Sequence, residues 1–229
     1  MNQISPVMQL HMRYNKLGWL ILPWGILLSS FVINLIIGVT THPKNGFTTG
    51  GLSSIFVYMF VIGIAILKQT FPFSLGLSIR RKDYYIGTLL VSLIVSFVSA
   101  LVLAFLSFIE NNLTDGWGYK IHFFSLLSFY NNNIIWQFGF LFILLIQVFL
   151  LGFVISSLYY LIGRNGMYVF FTVLGLIFTI LSYSCTYFHW WTSIFHWVSH
   201  NPNLVGLIII LIDIVYASVS YLLLQKATV

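Results

Sequence analysis

The sequence predicts an all-α membrane protein with six spans and both termini in the cytoplasm. Three observations predict it. The chain is 59% hydrophobic and 6% charged, with a mean hydropathy of +0.98. A soluble domain carries roughly 25% charged residues, so a water-facing surface for 229 residues cannot be built from this composition. Apolar runs near the roughly 20 residues that a bilayer core requires recur six times, at about 17–39, 52–68, 85–109, 135–162, 167–187 and 203–224. Finally, the Lys and Arg residues segregate. With the N-terminus inside, Arg13, Lys16, Lys68, Arg80, Arg81, Lys82, Arg164 and Lys226 fall on the cytoplasmic side, and only Lys44 and Lys120 fall outside. That asymmetry follows the positive-inside rule. The acidic Glu110 and Asp115 fall outside.

In chain order, residues 1–16 mix Leu10, Met12 and Tyr14 with His11, Arg13 and Lys16. They read either as a short interfacial helix or as an irregular lead-in. They carry no small-residue cleavage signature, so the first apolar run reads as an uncleaved span. Residues 40–51, with His42, Pro43, Lys44 and Asn45, form a loop, and residues 110–134 a longer polar and aromatic one. Gly-Arg-Asn-Gly at 163–166 reads as a tight turn between the fourth and fifth spans. Residues 188–201 form an aromatic loop before the sixth span. A single membrane domain accounts for residues 1–229.

Packing is legible in the third span. Ser92, Ser96, Ala100 and Ala104 recur every fourth residue, a small-residue stripe that permits close helix approach. Transporters built from inverted repeats interrupt matched spans in both halves. Pro23 interrupts the first span without a counterpart, and the sequence has no convincing internal repeat.

Polar chemistry concentrates at residues 71–88, FPFSLGLSIRRKDYYIGT. Phe71-Pro72-Phe73 is expected to break the second span. Leu75, Leu77 and Ile79 then precede Arg80, Arg81, Lys82 and Asp83, as in a short amphipathic helix that docks on a cytoplasmic partner. The plainer reading is a topology signal. The net charge of +6 does not point to nucleic acid, because the basic residues sit at the ends of apolar runs.

Asp213 lies mid-span, where an ionisable group costs about 2.5–3.5 kcal/mol on insertion scales. Asn34, Gln147 and Tyr216 are candidate partners. The residue reads either as helix-to-helix glue or as the centre of a proton- or ion-coupled carrier. His189, His196 and His200 have helical spacing, and His196 with His200 at i, i+4 is a possible metal pair. Trp190, Trp191 and Trp197 favour instead a short interfacial helix with an aromatic belt, and no metal site is expected. Cys185 is the lone cysteine, so no internal disulfide forms. No phosphate-binding loop, G-x-S-x-G elbow or H-E-x-x-H helix is present, so the chain is not expected to be an enzyme.

The 71–88 stretch, between the second and third of six spans, resembles the permease subunits of ABC-2 type exporters of Gram-positive bacteria. In those proteins an FPF segment, a small or apolar segment with Gly and Ser, and an Arg-(Lys/Arg)-(Asp/Glu)-aromatic segment follow the second span. The resemblance implies a short cytoplasmic coupling helix, with Gly76, Ser78, Arg80, Arg81, Lys82 and Asp83 facing a separate ATPase that holds ATP and Mg²⁺. Ile79, directly before the arginines, departs from the pattern. The resemblance further implies a second permease copy or paralogue and a pathway contributed by the second and fifth spans. It implies an amphipathic or hydrophobic cargo such as a cytolytic or antimicrobial peptide, of the phenol-soluble modulin kind, or a drug. It places the chain in the plasma membrane, in export or self-immunity. The alternatives are a carrier centred on Asp213 and a non-transporting scaffold.

Overall fold

The computed structural model describes residues 3–14, 17–41, 47–114, 116–125, 131 and 133–227. Lys16, Lys44 and Asp115 of the charge pattern, and His42, Pro43 and Asn45 of the first loop, lie outside the described residues. Five helices are long and apolar enough to cross a membrane. They are α2 (Leu22–Thr41), α3 (Ser53–Gly76), α4 (Arg81–Phe108), α5 (Ile134–Tyr187) and α7 (Pro202–Lys226). Two short helices accompany them, α1 (Ile4–Gln9) and α6 (Trp190–His200). Wider π-type turns at Leu10–Tyr14 and Leu17–Ile21 lead from α1 into α2, and another at Ile109–Leu113 prolongs α4. The only strand pairing among the described residues is a two-residue parallel ladder, β1 (Phe47–Thr48) on β2 (Ile121–His122).

The fourth and fifth apolar runs join into the single 54-residue α5. It departs from helical geometry at one residue, Gly163, with φ 68° and ψ −177°. That backbone region is open to glycine almost alone. The expected four-residue turn is therefore a break at one glycine, with helix resuming in the next residues.

The limb of α5 at 134–162 is the central helix, packed against α3, α4 and α7. Its buried positions include Leu141, Leu145, Phe149, Gly152, Phe153 and Ser156, the spacing of one helical face. The tightest approach is to α3. A methyl group on Gly63 would collide with the Phe149 carbonyl, and one on Gly152 with the Phe60 carbonyl, so the two backbones touch. On α4, Ser92, Ser96, Ala100 and Ala104 are all buried, and α4 makes its main helix contact with α5. Large apolar side chains such as Val32, Ile36, Leu176, Phe178 and Leu211 are exposed along α2, the second limb of α5 and α7. Such surface suits lipid rather than water.

The expected break at Phe71-Pro72-Phe73 does not occur. Helix α3 runs through Pro72 to Gly76, eight residues beyond the expected end at Lys68. Phe71 is fully buried against Tyr84 and Tyr160, while Pro72 and Phe73 face outward. Hydroxyls brace the backbone around the proline, with Thr70 Oγ1 donating to Ile66 O and Ser74 Oγ to Thr70 O, each at 2.8 Å. Packing and side-chain hydrogen bonds of this kind carry a helix past proline.

At the opposite end, Glu110 is fully buried. Its carboxylate accepts from the backbone N–H groups of Phe123, Phe124 and Ser125 at 3.0–3.2 Å. It also accepts from Trp117 Nε1 at 2.8 Å and Ser125 Oγ at 2.6 Å, and His122 Nδ1 lies 3.9 Å away. The loop after α4 is wound around this one carboxylate.

Candidate functional site

The basic stretch forms a tight corner between α3 and α4, not a separate short helix. Gly76 ends α3 and Arg81 begins α4. Ser78 adopts the left-handed region, φ 58°. Ile79 N donates to Ser74 O at 3.1 Å and Ser78 N to Leu75 O at 2.9 Å. This is the Schellman pattern that ends helices, in which the residue after the left-handed one packs against the helix. Ile79 occupies that position and is 7% exposed. Its place before the arginines is thereby explained as the apolar anchor of the turn.

The charged residues of the corner divide. Arg80 and Lys82 are exposed. Arg81 is half-buried and donates through Nη1 to the carbonyl of Gln225 at 2.6 Å, near the C-terminal end of α7, where the helix dipole favours a cation. Asp83 lies in the first turn of α4, where the dipole favours an anion, and accepts from Gln3 N at 3.4 Å. Gln3 Oε1 accepts from Arg80 N at 3.2 Å. The corner is thus tied to both ends of the chain.

The N-terminal segment is helical and packed, not an irregular lead-in. Gly87 of α4 leaves room for Val7, which a side chain there would strike, and Val7 is fully buried. His11 is fully buried between Trp19 and Tyr84. Its Nε2 lies 2.9 Å from Thr88 Oγ1. Thr88 donates its own proton to Tyr84 O at 2.8 Å, so His11 Nε2 carries the hydrogen and Nδ1 is left bare. Nδ1 has no partner among the described residues. Burial lowers the His11 pKa from 6.5 to about 4, because the imidazolium would be desolvated. Tyr84 Oη and Thr70 Oγ1, 2.7 Å apart, clamp α4 to α3 just above the corner.

A cavity of about 490 Å³ opens beside this region. Ile64 and Lys68 of α3 form one wall, Ser156, Tyr159 and Tyr160 a second, and Met167, Tyr168 and Phe171, beyond the Gly163 break, a third. Arg164 stands at its edge.

Asp213 and Gln147 lie on the packed pair α7 and α5. Trp136 Nε1 donates to Asn203 Oδ1 at 2.8 Å, and Gly206 faces Phe140. From that register, Gln147 is eleven residues past Trp136 and Asp213 ten past Asn203, which brings them to one depth. Asp213 Oδ1 and Gln147 Oε1 are both buried without a partner among the described residues. Asn34 is not part of this pair, since its amide donates to Ser30 O on its own helix at 2.8 Å. Tyr216 is partly buried against the core.

On α6, Trp190, Trp191 and Trp197 are exposed. His189 precedes the helix in a left-handed conformation, and the rings of His196 and His200 stack at 4.2 Å. Among the described residues, no group of three His, Cys, Asp or Glu side chains is placed to hold a metal ion.

Sequence reasoning missed three features: the carboxylate cage of Glu110, the backbone contact of Gly63 with Gly152, and the burial of His11. Only the second carried a signal, in two glycines within apolar runs. No protein family, curated protein or solved structure matches this chain.

Proposed function

We propose that this chain is the membrane subunit of an ATP-driven exporter, with six spans and cytoplasmic termini in the plasma membrane. The observation that carries the reading is the corner between α3 and α4. It offers two exposed cations, Arg80 and Lys82, to a partner, while Thr70–Tyr84 and Arg81–Gln225 join it to three long helices. A displacement applied there by an ATPase would reach α3, α4 and α7 together. The resemblance of residues 71–88 to ABC-2 type permeases supports the same assignment.

The length of α5 supports six spans. Its 54 residues would reach about 80 Å as one helix, well over twice a hydrocarbon core of about 30 Å, so on this reading the Gly163 break would divide it into two crossings. The cargo is an amphipathic or hydrophobic molecule, which the wall of α3 and the second limb of α5 around the cavity suits. A second permease copy or paralogue completes the pathway.

The test is purification of tagged protein from its native host in mild detergent, with mass spectrometry of what co-elutes. An ATPase is expected with the wild type and is expected to be lost from the R80A/K82A variant. Recovery of no ATPase, where a control exporter stays intact, overturns the reading.

Asp213 Oδ1 and Gln147 Oε1, both buried without a partner among the described residues, favour a second reading, a gradient-driven carrier. On that reading D213N abolishes transport at normal expression, and no ATPase is needed.

A further inference from the structure

We infer that the cavity between α3 and the two limbs of α5 binds an anionic phospholipid of the adjacent leaflet. The lipid phosphate would sit between Lys68 and Arg164, and an acyl chain along Ile64, Met167 and Phe171. The inference rests on the membrane-spanning reading and is independent of any ATPase.

Lys68 and Arg164 both line the cavity, both are exposed, and neither has an ion pair among the described residues. The chain has only four acidic residues. Glu110 is enclosed at the far end, Asp83 is held at the start of α4, Asp213 lies within α7, and Asp115 is outside the described residues. None of the three described ones lines this cavity. Two cations beside an apolar hollow therefore favour an anion that no described acidic residue supplies.

Position and shape select the kind of anion. Lys68 lies eight residues before the end of α3, about 12 Å along the axis, and its long side chain can snorkel towards the head-group layer. Arg164 directly follows the helix break. The rest of the lining is apolar or tyrosine, with Tyr159, Tyr160 and Tyr168 offering hydroxyls beside aromatic faces. A volume of about 490 Å³ lies within the ordinary range of small-molecule sites, about 300–1,000 Å³. Basic pockets between spans on the cytoplasmic side suit acidic lipid head groups. A free phosphate would leave the apolar walls bare, and a zwitterionic lipid, whose phosphate is balanced by its own ammonium, would leave the two cations without net neutralisation.

The experiment uses the full chain in neutral detergent, with phosphatidylglycerol or phosphatidylcholine added. Retained lipid is counted by native mass spectrometry. A phosphatidylglycerol carrying a photoreactive group on its acyl chain is cross-linked in parallel and mapped by peptide sequencing. The wild type is compared with K68A/R164A and with R80A/K82A, which removes the same charge elsewhere.

The wild type is expected to prefer phosphatidylglycerol by roughly tenfold or more, from two cations near the surface. K68A/R164A is expected to lose that preference, R80A/K82A to keep it, and the cross-links to fall on residues 164–171. Equal retention of the two lipids by the wild type overturns the inference. So does equal loss in both variants, which would mean diffuse attraction. Cross-links confined to helices that do not line the cavity overturn it without reference to either variant, whatever their folding. Displacement of phosphatidylglycerol by inorganic phosphate alone would also overturn it, by assigning the site to a free anion.

Discussion

The guanidinium of Arg81 hydrogen-bonds to the main-chain carbonyl of Gln225 at 2.6 Å, joining the first turn of α4 to the last turn of α7. Its neighbours Arg80 and Lys82 point to solvent. Three adjacent basic residues are therefore placed differently, one tied into the fold and two at the surface. R81A is expected to lower the detergent Tm by a few degrees, since a hydrogen bond from a charged group contributes about 1.5–3 kcal/mol when well formed. R80A/K82A should leave the Tm within error, as exposed substitutions change stability by about 0.5 kcal/mol or less. Thermal unfolding of both variants checks the division, and equal Tm losses would refute it.

Ser78 holds a left-handed conformation, φ 58°, at a position where helices usually carry glycine. Relieving the contact of its Cβ with the backbone is expected to stabilise the corner. S78G should gain about 1 kcal/mol, measured as a rise in Tm, whereas S78V should lose stability.

Gly152 meets the backbone of α3 with no space for a methyl group. G152A is expected to cost about 1–3 kcal/mol by forcing α3 and α5 apart. Gly139, on the same helix, has open space around its Cα. G139A should be neutral or stabilising by up to about 1 kcal/mol. Paired melts of the two variants separate close approach from helix propensity.

Glu110 collects three backbone N–H groups, an indole N–H and a hydroxyl on one buried carboxylate. E110Q replaces an acceptor oxygen with an amide donor facing those donors. The expected cost is roughly 3 kcal/mol, and limited proteolysis should cut between residues 114 and 125 in the variant and spare the wild type.

His11 is buried with its pKa lowered to about 4, against 6.5 in the unfolded chain. The unfolded state therefore binds the proton first as pH falls. The stabilisation from burying a neutral His11 is complete above about pH 6.5 and is lost progressively between pH 6.5 and 4. By pH 5 the loss is about 2 kcal/mol. Hydrogen exchange in residues 4–14 should accelerate over this range in the wild type. In H11Q, which cannot be protonated there, it should stay flat.

The helices were legible because lipid-scale apolar runs have few other solutions, and the run lengths alone came within several residues of α2, α4, α7 and the start of α3, but ended α3 eight residues early. The misreading at Pro72 came from treating proline as a local signal. Phe71, buried against Tyr84 and Tyr160, holds the helix on through the proline, and that contact joins residues far apart in the chain. The corner was legible as a place of charge but not as a shape, because the Schellman turn depends on Ile79 finding a buried site. The N-terminal segment stayed open between helix and lead-in, since its apolar residues gain order only where α4 presents Gly87 and Thr88.

By itself the sequence determined an all-helical chain suited to lipid, because its composition leaves too few charges to solvate any other surface. It also placed the basic residues at the ends of apolar runs. Tertiary structure alone decided which of Arg80, Arg81 and Lys82 are exposed, that Glu110 gathers a loop around itself, and that Lys68 and Arg164 share one cavity. Those outcomes rest on hydrogen bonds and contacts between distant residues. Apolar periodicity records which face of a helix is buried and leaves open which neighbour buries it.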